Sequence, residues 1–316
     1  MRLDAAGSTS LGAVLAGPSR PATWLGTTTA ALYLATSQEP GVLAVLAHDA
    51  VRLPFSVLLP TTAAELPLTS LGDRTGGAVM VGDGCLAWSG PAGLVIIRVV
   101  REWAPARVRH GAMAANALAL LRDMLPARAD LGVDGGLLNL LLAEPAAAVA
   151  ALLGRGPGLT PAGDDVLAGF LLGARAVGLD ANGAAAAVAT MASARTTALS
   201  AALLWHAARG ECIDEVAAVV AALTRHHRTA RKPTEHGLTG RSDLEHALGR
   251  LLAVGRTSGG ALAAGLATAG TAAANPVGGT LLTLYQQQDS NHDASGRPHG
   301  SRMGADRVTR AGGEAA

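Results

Sequence analysis

A glycine-rich stretch in the middle of the chain, residues 154–169, reads GRGPGLTPAGDDVLAG and is the segment best suited to chemistry. Thr160 is a good N-cap, and the proline after it favours the first helical position, so a helix is predicted to begin here. The unpaired amides of a helix start attract anions, and glycines without side chains let an oxyanion, a carbonyl or a phosphate approach. We therefore predict an anion-binding cradle that includes Gly156, Gly158 and Gly163.

Two consecutive carboxylates, Asp164 and Asp165, follow in the first turns of the predicted helix. Carboxylates repel an anion, so the pair requires a divalent cation, an arginine or a role in proton transfer. We predict that the pair holds Mg²⁺, orients a substrate amide N–H or acts as a catalytic base. The alternative is that both acids only complement the helix dipole. The stretch lacks the Lys-Ser/Thr of a Walker loop, and no strand-like sequence precedes it as in a dinucleotide-binding motif.

A second glycine-rich helix start occupies residues 255–265, GRTSGGALAAG. Arg256 carries a planar set of donors suited to a carboxylate or phosphate, and Thr257, Ser258 and Gly259 follow it. If both helix starts face one cleft, the site binds a small, doubly anionic molecule. The alternative is that the small residues permit close helix packing and that Arg256 is a solvated surface charge.

Two hydroxyl side chains between these motifs, Thr197 and Ser200, fall on one side of a predicted helix. Buried hydroxyls need hydrogen-bond partners, and a polar substrate is one candidate partner. Hydrogen bonding back to the helix is the alternative. We include both residues among the candidate binding residues.

The elements that position these residues divide the chain into two kinds of sequence. Short apolar blocks separated by turn formers predict strands at 24–35, 42–47, 51–59, 78–81, 85–89 and 94–100. Alanine and leucine at helical spacing predict helices at 111–124, 135–153, 161–178, 183–209, 212–226, 242–255 and 258–273. The fold class is α+β. The predicted domains are a β-rich N-terminal domain at 1–108, a mainly helical domain at 109–285 and a disordered tail at 286–316.

The composition excludes several classes of protein. The 316 residues are 49% hydrophobic with a net charge of +1 and no long run of one sign, so nucleic acid is disfavoured as a partner. The two cysteines have no zinc-ligand spacing and predict no disulfide framework. The first residues do not form a secretory signal, and no stretch is apolar enough to span a membrane. We expect a cytoplasmic protein.

Three segments in this order resemble the AllH-type family associated with oxamate carbamoyltransferase: 154–171, TTALSAALLWHAARG at 196–210, and 255–266. The resemblance spans about residues 110–275 and departs from the family pattern at Arg256 and Ala261. It implies a subunit of a multi-protein carbamoyltransferase in allantoin catabolism, which converts oxalurate and phosphate to oxamate and carbamoyl phosphate. The family motifs fall on Gly156, Gly158, Leu159, Thr160, Pro161, Gly163, Asp164 and Asp165, and on Gly255, Thr257, Ser258 and Gly259.

The leading hypothesis is therefore a carbamoyltransferase subunit that binds a small anionic ureido or carboxylate compound and acts with other subunits. In it, glycine amides hold phosphate or an oxyanion, Asp164 or Asp165 positions the amide nitrogen or Mg²⁺, and Arg256 clamps a carboxylate. Two alternatives stay open. One is a non-catalytic assembly subunit, and the other is a Mg²⁺-dependent phosphoryl-transfer enzyme or phosphohydrolase that uses the aspartate pair.

Overall fold

The N-terminal part is a closed β-barrel with strand order β1-β5-β4-β3-β2-β6-β7-β8. Most neighbouring strands are antiparallel, but β1 pairs in parallel with β8 and β4 in parallel with β5. The barrel strands are β1 Arg2–Ser8, β2 Arg20–Thr27, β3 Ala31–Ala35, β4 Val42–Leu46, β5 Ser56–Leu58, β6 Val79–Gly82, β7 Cys85–Gly90 and β8 Gly93–Trp103. A two-stranded sheet pairs β9 (Ala106–Arg107) with β10 (Glu211–Cys212).

The strands form where β-branched and leucine residues alternate toward a common interior. Leu32, Leu34, Val45 and Ile97 are fully buried in that core. The predicted block at 24–35 is two strands, because the Thr28 hydroxyl accepts a hydrogen bond from the Ala31 amide at 2.9 Å and closes a turn. The block at 51–59 supplies only the short β5, and the sequence analysis missed β1.

The rest of the described chain is mainly helical, which confirms the α+β class with a β-rich N-terminal part. After the short α1 (Gly12–Ala16) in the barrel, the helices are α2 Ala115–Met124, α3 Gly135–Ala143, α4 Pro145–Leu152, α5 Ala162–Val177, α6 Asn182–Arg195, α7 Ala198–Ala208, α8 Asp214–Ala230, α9 Gly237–Leu252 and α10 Ser258–Ala274. Pro145 divides the predicted helix 135–153, and extended backbone at Thr196 divides the predicted helix 183–209.

Helix α5 lies at the centre of the helical part, and α10 packs along it. Glycines bring the two backbones together: a Cβ at Gly169 would overlap the carbonyl oxygen of Leu262, and one at Gly265 would overlap that of Val166. This is the close packing that we gave as the alternative for the glycines of the second motif.

Helix α7 joins the barrel to the helical part. Leu199 and Ala202 belong to the barrel core, whereas Leu204 and Ala207 belong to the helical core. The two cores therefore share helix α7. This helix places its site residues, described below, between the barrel and the helical part. The domain boundary at 108/109 stays a prediction.

The computed structural model describes residues 1–72, 77–91, 93–125, 135–230 and 237–274. The predicted tail at 286–316 lies outside these ranges. Within them, no helix is long and apolar enough to cross a membrane.

Candidate functional site

The glycine-rich loop before α5 is shaped by backbone that favours glycine. Gly154, Gly156 and Gly158 have φ of 73°, 117° and 99°, in the left-handed region that side chains disfavour. A Cβ at Gly154 would also overlap the carbonyl oxygen of Arg195. The glycines therefore let the loop turn sharply and pass close to the end of α6.

Asp164 holds this loop in place. Its side chain is 2% exposed, and its two carboxyl oxygens accept hydrogen bonds from the Gly154 amide, at 2.8 Å, and from the Thr196 hydroxyl. Burial raises the pKa of Asp164 above its ordinary value, and these hydrogen bonds oppose the shift. The carboxyl thus ties the loop to the junction between α6 and α7.

Asp165 has a different environment. The residue is 5% exposed, and its buried Oδ2 atom has no hydrogen-bond partner among the described residues. Burial raises the pKa of Asp165 to about 7; interaction with the Ser258 hydroxyl opposes the shift, and the neighbouring Asp164 charge adds to it. A carboxyl that titrates near neutrality can both donate and accept a proton, which is the property of a general acid or base.

Asp165 lines a cavity of about 140 Å³ between α5, α7, α8, α10 and the loop that precedes β5. Its side chain is joined there by the hydroxyls of Thr160 and Ser258, which lie 3.0 Å apart. The remaining lining is mostly aliphatic: Val51, Leu53, Pro54, Ala168, Leu172, Leu203, Ala207, Cys212, Ile213, Val216, Val254 and Leu262, with the acidic Glu211. The two glycine-rich helix starts therefore meet at one cavity, as the sequence analysis supposed.

The amides of the first helix start are not free, and this part of the prediction was wrong. Gly163 N–H donates to the Arg155 carbonyl at 2.9 Å, and the amides of Asp164 and Asp165 both donate to the Pro161 carbonyl, at 3.0 and 3.2 Å. Helix α5 begins at Ala162 with Pro161 as its N-cap, so Thr160 is not the cap that we predicted. Three amides assigned to an anion are thus already paired within the chain.

Glycine also serves packing here. A Cβ at Gly163 would overlap the carbonyl oxygen of Leu152, and one at Gly156 would lie 2.9 Å from the Ala162 amide nitrogen. Gly158 has open space around it. Gly156 and Gly163 therefore allow contact between the loop and the helix, and the approach of an anion to Gly156 and Gly158 stays a prediction.

Of the candidate binding residues in the second motif, Ser258 lines the cavity, and Leu262 of the same motif contributes to its aliphatic wall. Arg256 and Thr257 are exposed and do not line it. The Gly259 amide donates to the Val254 carbonyl at 3.0 Å, and a Cβ at Gly259 would overlap the Leu251 carbonyl oxygen. The structure does not bring Arg256 to the predicted carboxylate site.

Thr197 and Ser200 support the loop from the other side. Thr197 caps α7 by accepting a hydrogen bond from the Ser200 amide at 3.0 Å, and its hydroxyl donates to the Leu159 carbonyl at 2.6 Å. The Ser200 hydroxyl donates to the same carbonyl at 3.5 Å. Thr197 thus pairs with backbone, Ser200 contacts both the Leu159 carbonyl and the Asp164 carboxyl, and neither residue lines the cavity.

The sequence analysis did not single out Glu211 as a wall of the cavity. Its Oε2 atom accepts a hydrogen bond from the Ser10 hydroxyl at 2.9 Å and lies 2.6 Å from Nδ1 of the fully buried His206. Burial lowers the pKa of His206, and its contact with Glu211 opposes this shift. No local motif signals this contact, because Ser10 lies 201 positions from Glu211.

Of the two carboxyl groups of the aspartate pair, only that of Asp165 has an oxygen left for a Mg²⁺ ion. Both oxygens of Asp164 face hydrogen-bond donors, which leaves Oδ2 of Asp165 as the unpartnered carboxyl oxygen of the pair. Among the described residues, no group of three or more His, Cys, Asp or Glu side chains is placed to hold a metal ion.

The glycine-rich loop, the start of α5 and most of the residues that line the cavity lie in the part of the chain that resembles a known family. Residues 152–270 match the family model described as oxamate carbamoyltransferase subunit AllH. This match to the AllH model confirms the resemblance predicted from the motifs and includes both glycine-rich segments. Comparison with curated proteins and with solved structures gives no significant match.

Proposed function

We propose that this chain is a subunit of a carbamoyltransferase that acts on a small ureido compound, through the oxamate reaction or a related one. The observation that carries the proposal is the buried Asp165 carboxyl, which lines a cavity and belongs to the segment that matches the oxamate carbamoyltransferase subunit. A place in allantoin catabolism and a cytoplasmic location belong to the same proposal.

Asp165 is the residue we assign to proton transfer. When phosphate attacks the carbamoyl carbon of a ureido substrate, a C–O bond forms and the C–N bond to the leaving amide breaks. The departing nitrogen needs a proton, and protonated Asp165 supplies it from Oδ2. The proton that phosphate loses in becoming carbamoyl phosphate restores the acid, so the reaction balances. A pKa of about 7 keeps a large fraction of Asp165 protonated at neutral pH.

Asp164 is assigned a positioning role. It fixes Gly154 and Thr196 through its two oxygens, while Thr197 and Ser200 hold the carbonyl of Leu159. These contacts fix both ends of the loop that carries Thr160 to the cavity. Substrate binding by Thr197 and Ser200 is therefore replaced in our proposal by support of the loop.

Phosphate binding is assigned to a partner subunit. No basic side chain lines the cavity in the described part of the chain, and the amides of Gly163, Asp164 and Asp165 are already paired. A dianion needs charged or backbone donors to replace its water. A site that handles the ureido group but lacks phosphate donors fits a protein that works as one subunit of a complex.

The proposal is tested by co-expressing the chain with the proteins encoded beside it and assaying carbamoyl phosphate formation from phosphate and a panel of ureido compounds, beginning with oxalurate. Asp165→Asn keeps the shape of the side chain and removes the acid, so we expect kcat to fall by about 100-fold or more. The matched control is Asp123→Asn, the same change at an exposed position on α2, which should retain activity.

Two outcomes would contradict the assignment. Carbamoyl phosphate formation that Asp165→Asn leaves unchanged would remove the acid role and leave a non-catalytic assembly subunit as the better reading. A complex that forms no carbamoyl phosphate from any ureido compound would refute the transferase itself.

A further inference from the structure

The lining of the cavity beside Asp165 does not suit the anionic ligand that the sequence analysis predicted. Its wall consists mainly of aliphatic side chains, including Leu172, Val216 and Leu262, and no arginine, lysine or histidine lines it in the described ranges. Moving a carboxylate or a phosphate into such surroundings without a paired donor is strongly unfavourable. An anionic ligand is therefore disfavoured in the interior of this cavity.

The polar groups of the cavity include a cluster that suits a carbamoyl group. The hydroxyls of Thr160 and Ser258 are hydrogen-bonded to each other at 3.0 Å, and Ser258 is also hydrogen-bonded to Asp165, whose buried Oδ2 is unpartnered. Each hydroxyl keeps a lone pair that can accept a hydrogen bond from a ligand N–H, and Oδ2 of the carboxyl donates when protonated and accepts when ionised. A carbamoyl group carries one acceptor oxygen and N–H donors, so it can pair with all three side chains.

The size of the cavity limits the rest of the ligand. A dry apolar cavity of about 150 Å³ is known to accept a guest the size of benzene, and this cavity has about 140 Å³. There is room for the carbamoyl group and a short aliphatic chain, which would lie against the aliphatic wall.

We propose that this cavity binds an uncharged urea or primary amide that carries a short aliphatic substituent, with its carbamoyl group at Asp165, Thr160 and Ser258 and its substituent against Leu172, Val216 and Leu262. The choice of a carbamoyl head group rests on the proposed function, whereas the uncharged, apolar substituent follows from the lining. An apolar lining therefore favours an aliphatic urea as the ureido substrate over a small acid with two carbonyl groups.

The test measures binding of n-butylurea, n-propylurea, ethylurea and oxamate to the full chain by isothermal titration calorimetry. We expect affinity to rise about fourfold with each added methylene, as burial of apolar surface predicts, and oxamate to bind more weakly than n-butylurea. An affinity that is flat across the alkyl series, or tighter binding of oxamate, would overturn the proposal.

Two variants locate the binding. Ala168→Leu fills the cavity and should abolish n-butylurea binding, with Ala186→Leu on the exposed face of α6 as its matched control. If Ala168→Leu fails to fold, Ser258→Ala serves instead and should weaken n-butylurea binding about tenfold through loss of one hydrogen bond. Unchanged affinity in the folded variants would place the ligand elsewhere.

The binding test and the activity test can each refute one proposal without refuting the other. Loss of n-butylurea binding would refute the apolar ligand while leaving transfer from oxalurate intact. Conversely, a chain that binds n-butylurea in this cavity within a complex that makes no carbamoyl phosphate would refute the transferase and retain the ligand class.

Discussion

Replacing Asp165 by asparagine should change how stability depends on pH. The folded pKa of about 7 lies above the ordinary value of 3.8 because burial disfavours the charged carboxylate. The native state therefore binds this proton more tightly than the unfolded chain does. The contribution of Asp165 to the free energy of unfolding is most favourable below pH 4 and is lost as the pH rises through 7.

The size of the effect follows from the two pKa values. Each tenfold change in a protonation equilibrium corresponds to about 1.4 kcal/mol, so full ionisation lowers the free energy of unfolding by about 4 kcal/mol. Between pH 5 and pH 8 the loss is about 3 kcal/mol. Asp165→Asn has no proton to lose, so its free energy of unfolding should rise relative to the native chain by that amount over this range.

Urea denaturation of both proteins at pH 5, 6, 7 and 8, followed by tryptophan fluorescence and circular dichroism together, measures this difference. Titrating groups that do not interact with Asp165 contribute equally to both proteins and cancel, whereas Asp164 is coupled to Asp165. A relative change of about 3 kcal/mol corresponds to a midpoint shift of about 1 M urea. Asp123→Asn should run parallel to the native chain. Parallel curves for Asp165→Asn as well would mean that water reaches the carboxyl and that the cavity does not desolvate it.

Two further substitutions test the packing around the site. Gly169→Ala should lower the free energy of unfolding by about 1 to 3 kcal/mol, because the new Cβ overlaps the Leu262 carbonyl oxygen between α5 and α10. The control is Gly249→Ala, in open space on α9, which should be neutral or stabilising by up to about 1 kcal/mol in thermal unfolding. Thr196→Val should cost about 1 to 3 kcal/mol by leaving an oxygen of Asp164 without its donor, and an unaltered melting temperature would contradict that role.

The fold class was predictable because hydrophobic spacing is a local property. The strands at 42–46 and 85–90 and the helices at 162–177 and 258–274 lie within a few residues of their predicted positions. The wrongly predicted boundaries of helices and strands also have local causes. Pro145 begins a new helix, and Thr28 closes a turn inside what reads as one apolar run. The first strand, RLDAAGS, lacks the β-branched residues that mark a strand in sequence.

The cavity itself was beyond prediction from local sequence. Its wall takes residues from the loop at 51–54, from α5, from α7 and α8, and from the start of α10. Residues so far apart in the sequence come together only in the folded chain. The sequence supplied the chemical groups at one end, Asp165 and Ser258, but gave no sign that aliphatic side chains surround them. The sequence therefore predicted an anionic ligand, whereas the cavity of the folded chain is lined mainly by aliphatic side chains.

The aspartate pair shows why adjacent residues of one type need different explanations. Successive side chains on a helix point about 100° apart, so two neighbours cannot face the same partners. Asp164 turns toward Gly154 and Thr196, which satisfy both its oxygens, and Asp165 turns toward the cavity with one oxygen unpaired. The hydrogen bonds of Asp164 hold the loop, whereas burial raises the pKa of Asp165 to about 7. In the proposed function, Asp164 positions the loop and Asp165 transfers the proton.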